Sequence, residues 1–269
     1  MTGKIKNSFI KKIWLPSAVI GLILLGGCSK VPENTVFSLE DLKGKKIGVQ
    51  LKTTGDVYAS EIEGAQVQRF NKGKDAITAL QAGEIDAVML DDGPANVFAG
   101  EFENIRILEE SYAEEEYGLV VKKGNKELLD KINSALDKLE ADGTLDAIVK
   151  NWIYDGASES LYQEEEKASH ANGKLVVATN AEFPPYESMV GEEIAGFDID
   201  LMKAICDVLD MELEVENIAF DSILSAVDRG IVDVGAAAMS VTDERIEQVD
   251  FSKTYITAKQ VILVRESSK

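Results

Sequence analysis

Two stretches of this chain repeat one pattern: AITALQAGEIDAV at residues 76–88 and ILSAVDRGIVDVG at residues 223–235. In each, apolar residues at helical spacing run into a glycine, Gly83 or Gly230, and an aspartate, Asp86 or Asp233, then opens a short apolar run. A glycine in that place ends a helix in the left-handed conformation at little steric cost. Two copies of helix, glycine stop and strand predict two similar α/β lobes. Ligands of open α/β sheets gather at the carboxyl ends of the strands. The residues just past the two repeated strands, Asp91 and Ser240, are therefore the first candidates for a site.

The rest of the chain fits this plan. Short apolar runs alternating with amphipathic stretches predict strands at 46–50, 67–70, 87–90, 118–121, 175–179, 212–216, 232–236 and 260–264. Helices fall between them. In 126–139 the residues Leu128, Leu129, Ile132, Leu136 and Leu139 share one face, with Gly143 as the stop, and 198–209 has the same spacing. A chain of 269 residues that is 45% hydrophobic can bury the core such a fold needs.

Charge narrows the partners. The formal net charge is -20, although Lys4, Lys6, Lys11 and Lys12 cluster near the start without an acid beside them. Such a surface repels nucleic acid and anionic lipid, so no nucleic-acid partner is expected. The four lysines precede an apolar run at 13–25, two glycines and Cys28, the order of a secretory signal. The run is short of the ~20 apolar residues a membrane-spanning helix needs. Residues 155–173, DGASESLYQEEEKASHANG, are polar and aperiodic and read as a linker. The chain's one histidine, His170, lies there with no second His or Cys near it, so no metal, cofactor or catalytic role is expected.

Four clusters could carry ligand chemistry. Past the strand that ends near Ala238, Met239-Ser-Val-Thr-Asp-Glu-Arg245 places Thr242 as a helix N-cap and Arg245 in the first turn. Arg245 could pair on the surface with Asp243 or Glu247, the commoner use of such an arginine. It could also offer its fork to a carboxylate, beside the N–H groups at Ser240 and the helix start. The second cluster, Val49-Gln-Leu-Lys-Thr-Thr-Gly55, is a strand end entering a turn and then a helix, with Gln50, Thr53 and Thr54 at the junction. The third has Asp91 directly after an apolar strand, facing a cleft or capping the next helix, with Asp92 the better cap ahead of Gly93-Pro94. The fourth is aromatic: Phe183 within Asn180-Ala-Glu-Phe-Pro-Pro-Tyr186, and Phe220 at a strand-to-helix junction. Burial in the core is the commoner fate of phenylalanine.

These segments resemble the extracytoplasmic amino-acid-binding proteins of ABC importers, solute-binding protein family 3. The block KLVVATNAEFPPYESMVGEEIAGFDID, residues 174–200, is similar to that family's opening, yet here it lies mid-chain. Leu25-Gly-Gly-Cys28 resembles a bacterial lipobox, which implies cleavage before Cys28 and lipid on its thiol. The resemblance implies an α/β, two-lobed, hinge-connected type II periplasmic-binding-protein fold, circularly permuted. Its Ser/Thr and T-D-E-R pattern puts Ser240 and Arg245 at an α-carboxylate site, with Ala238 beside them. Its V-x-x-G-T-T segment puts Thr53 and Thr54 on the opposite wall, next to Gln50. Lys52 stands where that family has glycine, and a side chain there resists positive φ. Asp91 corresponds to the acceptor of the ligand ammonium, Phe183 and Phe220 to side-chain walls, and Asn180 to a selectivity position. A neutral residue at Asn180 favours an uncharged polar ligand.

The resemblance further implies a signal peptide at 1–27 and a tether at 28–36. One lobe takes 118–255, including the linker that joins the family's usual termini. The other takes 37–112 with 260–269, and 113–117 and 256–259 are the hinges. The expected function is capture of a free L-amino acid by hinge closure and its delivery to an ABC permease. The expected protein is a monomer held by lipid on Cys28 at the outer face of the cytoplasmic membrane. The alternatives are an enzyme on the same fold, of the cyclohexadienyl-dehydratase kind, and a surface amino-acid sensor. No nucleophile and base pair supports the enzyme.

Overall fold

The computed structural model describes residues 31–156, 159–160, 162 and 170–266; Cys28 and the apolar run ahead of it lie outside the described residues. The first half of the chain runs β1 (Lys46–Gln50), α1 (Thr54–Glu61), β2 (Gln66–Phe70), α2 (Gly73–Ala82), β3 (Ala87–Asp91), α3 (Asp92–Glu101), β4 (Ile105–Ile107) and β5 (Ala113–Tyr117). It continues through β6 (Val120–Lys122), α4 (Lys126–Ala141) and α5 (Thr144–Val149). After the linker come β7 (Lys174–Thr179), β8 (Glu182–Phe183), β9 (Glu187–Val190), β10 (Glu193–Ala195), α6 (Phe197–Leu209) and β11 (Glu212–Asn217). The chain closes with α7 (Phe220–Asp228), β12 (Val234–Gly235), α8 (Asp243–Gln248), β13 (Val249–Phe251) and β14 (Ile256–Arg265).

These elements build two α/β sheets of matching design. One has the order β2-β1-β3-β14-β4, with β5 also paired to β14; the other has the order β11-β7-β12-β6-β13. Each holds a parallel trio, β2-β1-β3 or β11-β7-β12, followed by one antiparallel strand, β14 or β6. The repeated sequence pattern is the reason. α2 leads through Gly83 (φ +76°) into β3, and α7 leads through Gly230 (φ +67°) toward β12. Both glycines adopt the left-handed conformation that ends a helix. β8, β9 and β10 form a small antiparallel sheet of their own.

Burial follows from the parallel arrangement. All five residues of β3, Ala87 to Asp91, are buried, as expected of a parallel strand covered on both faces. Ile47, Val49, Ala87, Met89, Ile262 and Val264 form the core on one face of the first sheet. Val120, Ala178, Ile223, Val227 and Val249 do so in the second. α4 is amphipathic and buries Ile132, Ala135, Leu136 and Leu139, the isoleucine and the two leucines each worth roughly 1.5 to 3 kcal/mol of transfer free energy.

The chain passes between the sheets twice, from β5 to β6 and from β13 to β14. The two stretches expected as hinges, 113–117 and 256–259, are both in strands. They pair with each other, antiparallel, from Ile256 opposite Tyr117 to Gln260 opposite Ala113. Two strands are shorter than expected. β6 starts at Val120 because Leu119 donates its N–H to the Ser252 hydroxyl (2.9 Å). β12 shortens to Val234–Gly235, although Ala236 still donates to the Ala178 carbonyl (2.9 Å). Among the described residues no helix is long and apolar enough to cross a membrane.

Candidate ligand-binding site

The carboxyl ends of the two parallel trios face one cleft. Gln50, Thr53, Thr54, Asp91, Asn180, Phe183, Phe220, Ala238, Ser240 and Arg245 all line one cavity. Every ligand-binding candidate read from the sequence is thus brought together. The first four come from the sheet of β1 and β3. Asn180, Phe220, Ala238, Ser240 and Arg245 come from the sheet of β7 and β12, and Phe183 from β8.

Arg245 dominates the electrostatics. Thr242 caps α8 by accepting the Arg245 N–H (3.3 Å), which places the side chain at the head of the helix. The guanidinium is buried; Nη1 donates to the Ser240 carbonyl (2.8 Å) and Nη2 to the Lys52 carbonyl (3.2 Å). Its carbon stands 5.6 Å from the centre of the Phe220 ring, within cation–π range. Burial draws its pKa down, while the charges of Glu115 and Asp91 oppose that shift. Among the described residues it forms no ion pair, so the surface pairing with Asp243 or Glu247 is not the arrangement found. A guanidinium has five N–H donors and two of them serve carbonyls. An anion in the cleft can take others.

Ser240 contributes its main chain. It lies opposite Tyr117 in an antiparallel bridge whose hydrogen bonds are those on either side, Gly118 N to Met239 O and Val241 N to Glu116 O. In such a pair the residues' own N–H groups point away from each other. Ala238, two residues earlier, is left-handed (φ +45°) and donates its N–H to Asp198 Oδ2 (2.7 Å). Asp198 lies in a buried acidic group with Glu187, faced by the Tyr255 hydroxyl. Burial lifts the pKa of Asp198 to about 6, against the pull of the Ala238 N–H, and drives that of Glu187 well upward.

Asp91 ends β3 and is buried, and it accepts a hydrogen bond from the Tyr117 hydroxyl. Burial, and then the Glu115 charge, push its pKa up to about 7, with Tyr117 and Gln260 pulling the other way. Asp92 bonds instead to the Gly93 N–H (3.0 Å) and the Lys259 N–H (3.2 Å), which leaves the cleft to Asp91.

The two threonines divide their tasks. Thr53 caps α1: its hydroxyl donates to the Gln50 carbonyl (2.8 Å) and accepts the Asp56 N–H (3.3 Å). Thr54 is the first residue of α1, where main-chain N–H groups lack helical partners. Across the cleft, Gln50 Nε2 donates to Asn180 Oδ1 (3.0 Å), and Asn180 Nδ2 donates to the Ile218 carbonyl (3.0 Å). A carbonyl only accepts, so this chain fixes the orientation of both amides.

Sequence reasoning missed three residues: Glu115, Tyr117 and Gln260. All are buried; Glu115 and Tyr117 lie in the stretch 113–117 expected as a hinge, and Gln260 opens the expected strand at 260–264. The alternation in Ala113-Glu-Glu-Glu-Tyr117 carried the signal, since Glu115 and Tyr117 are the buried positions of a period-2 pattern. Three adjacent acids obscure that pattern. Glu115 Oε2 accepts the hydroxyls of Thr54 (2.9 Å) and Ser240 (2.7 Å) and the Gln260 Nε2 amide (3.4 Å). His170 sits away from the cleft, bonded through its N–H to Asp210 (2.9 Å). Among the described residues no acid, histidine and cysteine group could hold a metal.

Comparison with known proteins identifies the family. The family model of the bacterial extracellular solute-binding proteins, family 3, matches residues 37–155 and 175–269. The arginine-binding extracellular protein ArtP of Bacillus subtilis is 38% identical over 95 residues, 35% of this chain and 37% of that protein. The ABC transporter glutamine-binding protein GlnH of the same organism is 34% identical over 126 residues, 46% of each. The L-cystine-binding protein TcyJ of Escherichia coli is 30% identical over 123 residues, 45% of this chain and 46% of that protein. The chain thus spans less than half the length of each of these relatives. Among solved structures, an ancestral arginine-binding protein bound to glutamine has 44% identity and a TM-score of 0.31, over 31% of this chain and 38% of that one. The family match takes in both sheets and every residue lining the cavity, and the chain belongs to the bacterial extracellular solute-binding proteins, family 3.

Proposed function

We propose that this protein captures a free L-amino acid in the cleft between its two sheets and hands it to an ABC permease. The observation that carries the reading is the pairing of Arg245 and Asp91 in one buried cavity, each from a different sheet. A zwitterion presents the complementary pair of charges. Arg245 takes the ligand's carboxylate, aided by the main-chain N–H groups of Ser240 and Thr54, and Asp91 takes the ammonium. Phe183 and Phe220 flank the side chain. Gln50 and Asn180 offer amides, with no charge, at its far end, which favours a polar uncharged ligand. Because the walls belong to different sheets, the ligand gains its full set of contacts only when they meet, and the β5 and β14 ribbon is the hinge. A thermal-shift screen of the twenty common L-amino acids tests this: one or a few stabilise the protein, and no shift with any of them overturns it.

The order of the segments supports a circular permutation. In this reading residues 37–112 with the final strand form one lobe and 118–255 the other, and the linker at 155–173 closes the family's usual ends. The protein works as a monomer. Lipid on Cys28 holds it to the outer face of the cytoplasmic membrane, although Cys28 lies outside the described residues. Cys28→Ser then moves the protein from the membrane fraction to the soluble fraction with ligand binding intact. Continued membrane attachment counts against the anchor.

A further inference from the structure

One buried carboxylate in the cleft region is not used by the reading above. Glu115 lies on β5, the strand that crosses between the sheets, and is 7% exposed. Its Oε2 collects the Thr54 hydroxyl from the head of α1 and the Ser240 hydroxyl from the loop past β12. These are hydroxyls from opposite walls of the cleft. Gln260 Nε2 adds a third donor at 3.4 Å and also reaches the Thr54 oxygen at 3.3 Å. The Tyr58 hydroxyl faces the same carboxylate.

A hydroxyl has one proton and two lone pairs. A carboxylate only accepts, so the bonds to Glu115 consume the protons of both Thr54 and Ser240. Thr54 is then nearly complete, donating to Glu115 and accepting from Gln260. Ser240, a residue of the cavity lining, keeps its lone pairs free to accept. Two residues along β5, Tyr117 treats Asp91 in the mirror sense, giving its proton to Oδ2. One strand thereby sets the polarity of acceptors on both walls.

We propose that Glu115 is a positioning residue of the binding site: by holding the protons of Ser240 and Thr54, it makes the Ser240 hydroxyl an acceptor for the ligand ammonium and leaves the carboxylate to Arg245 and the main-chain N–H groups. The inference rests on the amino-acid reading of the cleft. It removes the two hydroxyls from the carboxylate site and makes a residue outside the cavity lining a determinant of affinity.

The test is a double-mutant cycle on the best-binding of the twenty L-amino acids, read by calorimetry. Glu115→Leu frees the Ser240 proton, and Ser240→Ala removes the hydroxyl; each weakens binding about 10-fold to 100-fold. If Glu115 acts through Ser240, the double variant is no weaker than the worse single one, and losses that multiply overturn the proposal. Glu115→Gln keeps an acceptor oxygen and restores most of the affinity. Should Glu115→Leu fail to fold, Glu115→Ala takes its place in the cycle. A second measurement separates the two ends of the ligand: the α-carboxamide of the same amino acid, followed by competition, keeps the ammonium but lacks the carboxylate. Glu115→Leu weakens the amide and the acid by the same factor if Ser240 reads the ammonium. A loss confined to the acid overturns the proposal. No thermal shift with any amino acid in the unaltered protein overturns the amino-acid reading and this inference with it, whereas multiplying losses overturn the inference alone.

Discussion

Arg245 and Lys52 join the two walls of the cleft through a single main-chain carbonyl: the guanidinium Nη2, from α8, donates to the Lys52 oxygen at 3.2 Å. Lys52 can present that oxygen because its backbone is left-handed, at φ +66°. The related family has glycine there, and the side chain of Lys52 does not prevent the same turn. A left-handed residue that carries a Cβ costs roughly 1 to 2 kcal/mol. The bonds around the turn offset it, among them Lys52 N–H to Asp56 Oδ2 at 3.1 Å.

Lys52→Gly is therefore expected to be mild. Relief of the left-handed strain is opposed by the greater freedom glycine gives the unfolded chain, about 0.4 to 1 kcal/mol. The net change in stability stays within about 1 kcal/mol. Ligand affinity changes less than about threefold, because the carbonyl that Arg245 uses is retained. Lys52→Val is the contrasting variant, since a β-branched side chain fits the left-handed region worst. Chemical denaturation checks both, and equal stability of the two variants would refute the strained turn.

Removing the guanidinium has a larger effect on binding than on folding. Arg245→Ala strands the ligand's carboxylate in a desolvated cleft, a loss of about 3 to 5 kcal/mol in binding. Calorimetry should show affinity lower by orders of magnitude while far-ultraviolet dichroism is unchanged. Arg245→Lys recovers only part of the loss, because an ammonium cannot make the two-pronged contact. Unaltered affinity in Arg245→Ala would remove Arg245 from the site.

The acids of the interior give the protein a pH dependence of a definite sign. Asp91 has its pKa raised from 3.8 to about 7, chiefly by burial, and Asp198 is raised from 3.8 to about 6 for the same reason. Glu187 moves upward as well. A raised carboxyl pKa means that the folded protein holds protons the unfolded chain has released. This contribution is complete below about pH 4 and is lost as pH rises through 6 and 7. The melting temperature of the unliganded protein should fall between pH 5 and pH 8, and Asp91→Asn should flatten the fall. Binding runs the opposite way. A ligand ammonium favours ionised Asp91, so affinity rises with pH up to about 7 and a proton is released on binding below it. Calorimetry in buffers of different ionisation enthalpy detects that proton, and affinity independent of pH from 5 to 7 would contradict the assignment.

What the sequence discloses and what it hides follow from the range of the interactions. β1 was legible to the residue, since Lys46–Gln50 is a short apolar run between turn signals. So were the ends of α2 and α7, because a glycine after a helix is a local signal. Asp91, Ser240 and Arg245 were legible because they stand just past strands or at a helix head, where the fold itself aims them into the cleft. Glu115 was not. Its place depends on β5 pairing with β14, a contact between residues more than a hundred positions apart. A run of three acids carries a solvent signal that only this pairing overrides.

The linker at 155–173 decides whether the two sheets are completed by one chain or by two. β6, which precedes it, pairs with β12 and β13, which follow it. Trp152 likewise donates its indole N–H to the buried Asp200 at 2.8 Å, across the same connection. These contacts can form within one chain or between two copies that exchange halves. A covalent connection of native length gives the intramolecular arrangement a high effective concentration. A monomer is expected at micromolar concentration. Cutting the linker to a few residues should shift the population to an exchanged dimer, because the slack that lets β7 reach its own sheet is lost. Light scattering coupled to gel filtration distinguishes the two, and an obligate dimer at native linker length would overturn the single-chain assembly. The cleft residues named above would still converge in that dimer, each cleft completed by the other copy, so ligand binding should survive the exchange.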